Sequence, residues 1–135
     1  MYHVLLAVDE DEGRSTRIAE TITSLPSAST DVFVSVFHCF VDNPAGASAT
    51  QVGSVRAVQG ILEEAGIDNQ VLEASGDPAD TILEAAAEEQ ADAIYLGGRK
   101  RSPAGKALFG SVTQSVILGA ELPVTVAGKT QTTAE

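Results

Sequence analysis

Tyr2-His3-Val4-Leu5-Leu6-Ala7-Val8-Asp9 opens the chain with a short apolar run that stops at an acidic residue. A run of this kind is what a parallel strand buried on both faces needs, since neither side of it meets water. Asp9 to Gly13, four acidic residues and a glycine, then break the pattern, so the first strand is expected to end near Asp9.

Helical spacing follows at once. From Arg14 onward Ile18, Ile22 and Leu25 recur on one face until Pro26 and the Ser/Ala/Thr stretch through Thr30 stop them. Val32-Phe33-Val34-Ser35-Val36-Phe37 reads as a second buried strand ending close to His38 and Cys39, with a loop through Asn43, Pro44 and Gly46 behind it. Val55, Val58, Ile61, Leu62 and Ala65 mark a second helix, and Gly66 stands where a left-handed cap belongs. Val71 to Ala74 make a weaker third strand. Gly76-Asp77-Pro78 then supplies a turn, an N-cap carboxylate and a proline at the first helical position. Ile82, Leu83 and Ala86 form the inner face of that helix, and Ala93-Ile94-Tyr95-Leu96 is the fourth strand. A loop from Gly97 to Phe109, a helix from Gly110 to about Leu118 and a last strand from Leu122 to Ala127 complete the series.

Strands alternating with helices predict an α/β fold: a doubly wound, five-stranded, mainly parallel sheet with helices on both faces. Ligands of such sheets sit outside the carboxyl ends of the strands, where the strand order reverses. Periodicity leaves the order open, but two strand ends carry distinctive chemistry, Asp9 and Gly97-Gly98.

The 135 residues, 44% hydrophobic, suit one domain with one core. No basic leader precedes the first strand and no apolar run approaches a membrane span, so a cytoplasmic protein is expected. Cys39 stands alone, which excludes an intrachain disulfide, and two histidines are too few for a standard Cys/His zinc site. The net charge of −11, from 19 acidic against 8 basic residues, argues against nucleic acid and anionic membrane as partners. It suits an ordinary acidic protein or a halophilic one equally.

Four of the eight basic residues, Arg99, Lys100, Arg101 and Lys106, lie in one glycine-bounded segment that leads into Gly110-Ser111. A helix opening there would offer free backbone N–H groups and the positive end of its dipole to an anion, with the serine hydroxyl as a further donor. The alternative is that the glycines only turn the chain and the basic residues balance nearby carboxylates. Neither a Walker A sequence nor a Gly-x-Gly-x-x-Gly fingerprint is present. His38 reads as a hydrogen-bonded strand-end residue and Cys39 as a small buried one, and no residue is clearly placed as a general base.

The segment Gly97 to Ser111 resembles the universal stress protein signature, Gly-x-x-Gly, nine residues, then Gly-Ser or Gly-Thr. The resemblance extends in order along the chain: Ala7-Val8-Asp9, the strand ending in His38, Gly76-Asp77-Pro78-Ala79, Ala91-Asp92-Ala93-Ile94-Tyr95-Leu96-Gly97 and Leu122-Pro123-Val124-Thr125-Val126. It implies a universal stress protein domain over residues 1–128 with a polar tail at 129–135, Rossmann-like and akin to the adenine nucleotide α-hydrolases. The implied ligand is ATP or another adenine nucleotide, with Mg²⁺ as a companion, bound by a stress-response or signalling module that is not an enzyme. By resemblance Ala7, Val8 and Asp9 line the adenine and ribose end, Asp9 could also meet a metal-bridged phosphate, and Cys39 packs on the base. Gly97 and Arg99 approach ribose and phosphates, and Gly110, Ser111, Val112 and Thr113 present a helix N-terminus to them. Lys100 stands where the signature has its second glycine; its side chain either obstructs phosphate or replaces backbone contacts with a charge. A homodimer through the last strand is also implied, and the competing function is a dimeric interaction scaffold of the same fold that binds no nucleotide.

Overall fold

The computed structural model describes residues 1–41, 46–97, 99–101 and 107–127, with the backbone alone for 99–101, 107 and 108. Strand β1 spans Tyr2–Ala7, β2 Val32–Phe40, β3 Asp68–Ser75, β4 Ala93–Leu96, β5 Arg99–Arg101, β6 Ala107–Phe109 and β7 Val124–Val126. The helices are α1 Glu12–Thr23, α2 Ala28–Asp31, α3 Gly53–Glu64, α4 Pro78–Glu88 and α5 Ser111–Gly119, with a 3₁₀ turn at Ala49–Gln51.

The main sheet has the order β3-β2-β1-β4-β7, and every neighbouring pair in it is parallel. The chain builds outward from β1 to β2 and β3, then returns to place β4 and β7 on the opposite flank. The reversal therefore falls between β1 and β4, and their carboxyl ends open into one crevice.

Alternation along the strands divides the core into two layers. Val4, Leu6, Val34 and Val36 pack with Ile18, Ile22, Val58 and Leu62 of α1 and α3, whereas Leu5, Phe37, Ile94 and Leu96 pack with Ile82, Ala86 and Val116 of α4 and α5. The central strands are apolar on both faces for this reason. Their inward side chains are removed from water almost completely, each contributing about 1.5–3 kcal/mol of burial.

Local signals fix the helix ends. Asp11 caps α1 by accepting the Arg14 N–H at 2.9 Å, and Asp77 caps α4 by accepting the Asp80 N–H at 3.0 Å. Gly66, at φ +76°, ends α3: its N–H donates to the Glu63 carbonyl while that of Ile67 donates to Leu62. These two bonds are the paired closure that a left-handed residue permits.

The structure departs from the sequence expectations in four places, the first being the last strand, which spans Val124–Val126 and not Leu122 to Ala127. The segment after Pro26 forms the short helix α2, entered through Ser27 at φ +57°. Strands β2 and β3 are longer than their apolar runs, because Cys39 and Phe40 pair in register with Ala74 and Ser75. At the other end of β3, its polar start is satisfied laterally: Gln70 donates to Ser35 and Glu89, and Gln59 to Asn69. The expected loop from Gly97 to Phe109 contains an antiparallel ribbon, Arg99 opposite Phe109 and Arg101 opposite Ala107. Gly98, Ser102 to Lys106, the loop residues Asn43 and Pro44, and the tail 129–135 lie outside the described residues.

Candidate functional site

Val8 continues the parallel pairing beyond β1 by donating its N–H to the Phe37 carbonyl at 2.8 Å, and the next residue, Asp9, emerges at the crevice. A cavity of about 720 Å³ lies there, walled by four strand or helix ends: Ala7 to Glu10 after β1, Phe37 to Val41 at the end of β2, Leu96-Gly97 after β4 and Gly110 to Thr113 at the start of α5. Pro78 and Ile82 of α4 complete its apolar side and Arg14 of α1 its polar side. A volume of this size accommodates a nucleotide-sized ligand.

The structure thus brings together Ala7, Val8, Asp9, Cys39, Gly97, Gly110, Ser111, Val112 and Thr113 from the sequence-derived set. Arg99 and Lys100 lie on β5, and their side chains are outside the described residues, so both readings of Lys100 stand. Pairing of β2 with β1 is locked by His38, which is 3% exposed and whose Nδ1–H donates to the Val8 carbonyl at 2.7 Å. This is the structural role expected of it. Cys39 is half-buried, and its thiol donates to the Gly76 carbonyl at 3.4 Å.

The two glycine positions of the signature serve different needs. Gly110 caps α5 at φ −66° and ψ 164°, an ordinary extended conformation, and a Cβ built there meets nothing within 4 Å. Its lack of a side chain leaves space in front of the α5 amides. A Cβ on Gly97 would instead lie 2.5 Å from Cγ and 2.7 Å from Cδ of Arg14, whose aliphatic stem crosses this residue. On the far side, the Thr113 hydroxyl donates to the Gly97 carbonyl at 2.6 Å, so Thr113 anchors α5 to β4.

Electrostatically the mouth is mixed. Asp9 Oδ2 is 3.1 Å from Arg14 Nε, and its Oδ1 accepts the Asp11 N–H at 2.9 Å. Arg14 Nη2 donates to Asp11 Oδ2 at 3.2 Å. The Arg14 amide hydrogen bond, followed by the charges of Arg14 and Arg17, holds the Asp11 carboxyl below the ordinary carboxylate range. Ser54 of α3 donates its hydroxyl to the Asp9 carbonyl and fixes the backbone at this corner. Asp9 is expected to meet a metal-bridged phosphate; among the described residues no cluster of three or more His, Cys, Asp or Glu side chains could hold a metal ion by itself.

Sequence reasoning missed Arg14 and the apolar wall from Pro78 and Ile82. Arg14 did carry a signal: a cation in the first turn of a helix opposes the dipole, and this one follows directly on a strand-end aspartate.

Among known proteins, the universal stress protein family model matches residues 1–128. A universal stress protein of Mycolicibacterium smegmatis is 33% identical over 73 residues, 53% of this chain and 56% of that protein, so the match spans little more than half of this relative. The solved universal stress protein of Archaeoglobus fulgidus superposes with a TM-score of 0.75 at 28% identity, over 93% of this chain and 98% of that one. A structure from the same organism in complex with dAMP gives 0.70 at 23% identity over 93% and 97%. Other matched universal stress protein structures hold cAMP and AMP. Together with the parallel sheet and its crevice, the match along nearly the whole sequence establishes that this chain belongs to the universal stress protein family.

Proposed function

We propose that the cavity binds an adenine nucleotide, with ATP as the physiological form, and that the chain acts as a nucleotide-responsive module in stress response or signalling and not as an enzyme. The observation that carries this reading is the union, in one cavity, of an apolar wall and the unobstructed N-terminus of α5. Phe37, Ile82 and Leu96 suit the base, while the amides at Ser111 and Val112 suit a phosphate. The dAMP, cAMP and AMP held by relatives of the same fold support the choice of adenine. Mg²⁺ would arrive on a di- or triphosphate, with Asp9 at the mouth to meet it. The protein would work in the cytoplasm as a homodimer joined at β7, which is the edge strand of the sheet.

Titration calorimetry with ATP and AMP tests the reading, alongside native mass spectrometry of protein purified without added nucleotide. Gly110→Val should abolish binding, because the branched side chain occupies the space before the helix amides. Its free fold should lose no more than about 1 kcal/mol, the scale of an N-cap preference. Absence of binding by the parent at millimolar nucleotide would give the site to the interaction-scaffold reading instead.

A further inference from the structure

Among the described residues that wall the cavity, Arg14 is the one fixed positive charge, and it shares the mouth with the carboxylates of Asp9 and Glu10. Its placement runs against local preference. It occupies the first turn of α1, where the helix dipole is positive, and this arrangement is held by Asp9 and Asp11. Departures from local rules of this kind concentrate at functional positions.

The guanidinium is only partly satisfied there. Nη2 donates to Asp11, while Nε is buried and, though 3.1 Å from Asp9 Oδ2, makes no aligned hydrogen bond. A guanidinium carries five N–H donors in a planar fork, so Arg14 retains donors for a further acceptor. The stem of Arg14 lies over Gly97, where a Cβ would come within 2.5 Å of its Cγ and 2.7 Å of its Cδ. The carbonyl of that same Gly97 receives the Thr113 hydroxyl from the first turn of α5. Gly97 therefore joins the Arg14 stem to the helix end whose free amides face the cavity.

We propose that Arg14 is the specificity residue for the ligand's phosphate: it rests on Asp9 and Asp11 when the site is free and turns its remaining donors to a phosphate held at the α5 N-terminus. The site thereby selects a nucleotide over the corresponding nucleoside. Arg14 offsets the acidic mouth of Asp9 and Glu10 for a monophosphate without a divalent cation. This inference rests on the nucleotide-binding reading and names the side chain that reads the charge.

The test is titration calorimetry of the parent, Arg14→Gln and Arg14→Lys with AMP and with adenosine, each with and without EDTA. The parent should bind AMP at least about tenfold more tightly than adenosine, as expected for charge-assisted hydrogen bonds, and EDTA should leave both affinities unchanged. Arg14→Gln should lose most of that preference, the α5 amides keeping the remainder, while its adenosine affinity stays within about twofold, and Arg14→Lys should recover part of the loss. Equal losses for AMP and adenosine would make Arg14 a support for Asp9 alone and overturn the proposal, as would an unchanged preference in Arg14→Gln or an AMP affinity that collapses with EDTA. A parent that binds neither compound would remove the nucleotide reading itself, which is a different result from a parent that binds AMP irrespective of residue 14.

Discussion

At the scale of single residues, the mouth of the cavity is arranged by Asp11. One carboxylate oxygen accepts the Arg14 amide and the other the Arg14 guanidinium, so the same side chain caps α1 and steadies the cation that walls the site. Both interactions favour the ionised form, and the folded pKa lies below the ordinary value of 3.8. A depressed carboxylate contributes stability that is present above its unfolded pKa and lost as the pH falls through the folded one. Asp11→Asn keeps an N-cap acceptor but removes the titration. Its deficit relative to the parent should be constant from about pH 7 to about pH 5 and should shrink as the pH falls below about 4. Urea unfolding of both proteins across this range measures it, and a deficit that persists at the acid end would mean that the charge of Asp11 contributes nothing.

At the scale of elements, the ends of α3 and α4 show how far local chemistry carries. Gly66 was recognisable as a left-handed cap because it follows the last apolar position of a helical face, and its φ of +76° bears this out. An alanine there would meet only Ser29 Cβ at 3.6 Å, an ordinary contact, so the cost of Gly66→Ala is one of backbone conformation. Thermal or urea unfolding should show a loss of about 1 kcal/mol; a neutral result would mean that the cap relaxes to another closure. Buried parallel strands were legible for a related reason, since Val4 to Leu6 and Ile94 to Leu96 have no polar face to disguise them. The ribbon of β5 and β6 was not, because Arg99-Lys100-Arg101 carries neither alternation nor strand-forming residues. Nor was strand order, which depends on contacts between segments distant in sequence. The site was legible where a strand end or a helix start carried a marker, as at Asp9, Gly97 and Gly110. It was illegible where an ordinary core residue such as Ile82, or a helical arginine such as Arg14, reaches the cavity only through the tertiary fold.

At the scale of the whole molecule, charge is distributed so that attraction and repulsion are separated. Four of the eight basic residues fall between Arg99 and Lys106, which leaves 19 acidic residues facing only four basic ones over the rest of the chain. Among the described residues, the ion pairs are those of Arg14 with Asp9 and Asp11, so few carboxylates are compensated by contact. A surface of this kind repels itself, and the repulsion falls as the Debye length shrinks from roughly 10 Å at 0.1 M salt to roughly 3 Å at 1 M. The melting temperature should therefore rise between low and molar sodium chloride. The two readings of the acidic composition differ in how much: a halophilic chain should gain steeply throughout this range, whereas an ordinary acidic protein should level off once its long-range repulsion is screened. For AMP the same ions screen two opposed effects, the attraction to Arg14 and the repulsion from the surplus carboxylates, so its affinity should respond to salt less than the melting temperature does. Melting curves and AMP titrations in one salt series separate these effects. A melting temperature that does not respond to salt would show that the surplus carboxylates lie too far apart, or too well solvated, to oppose the compact state.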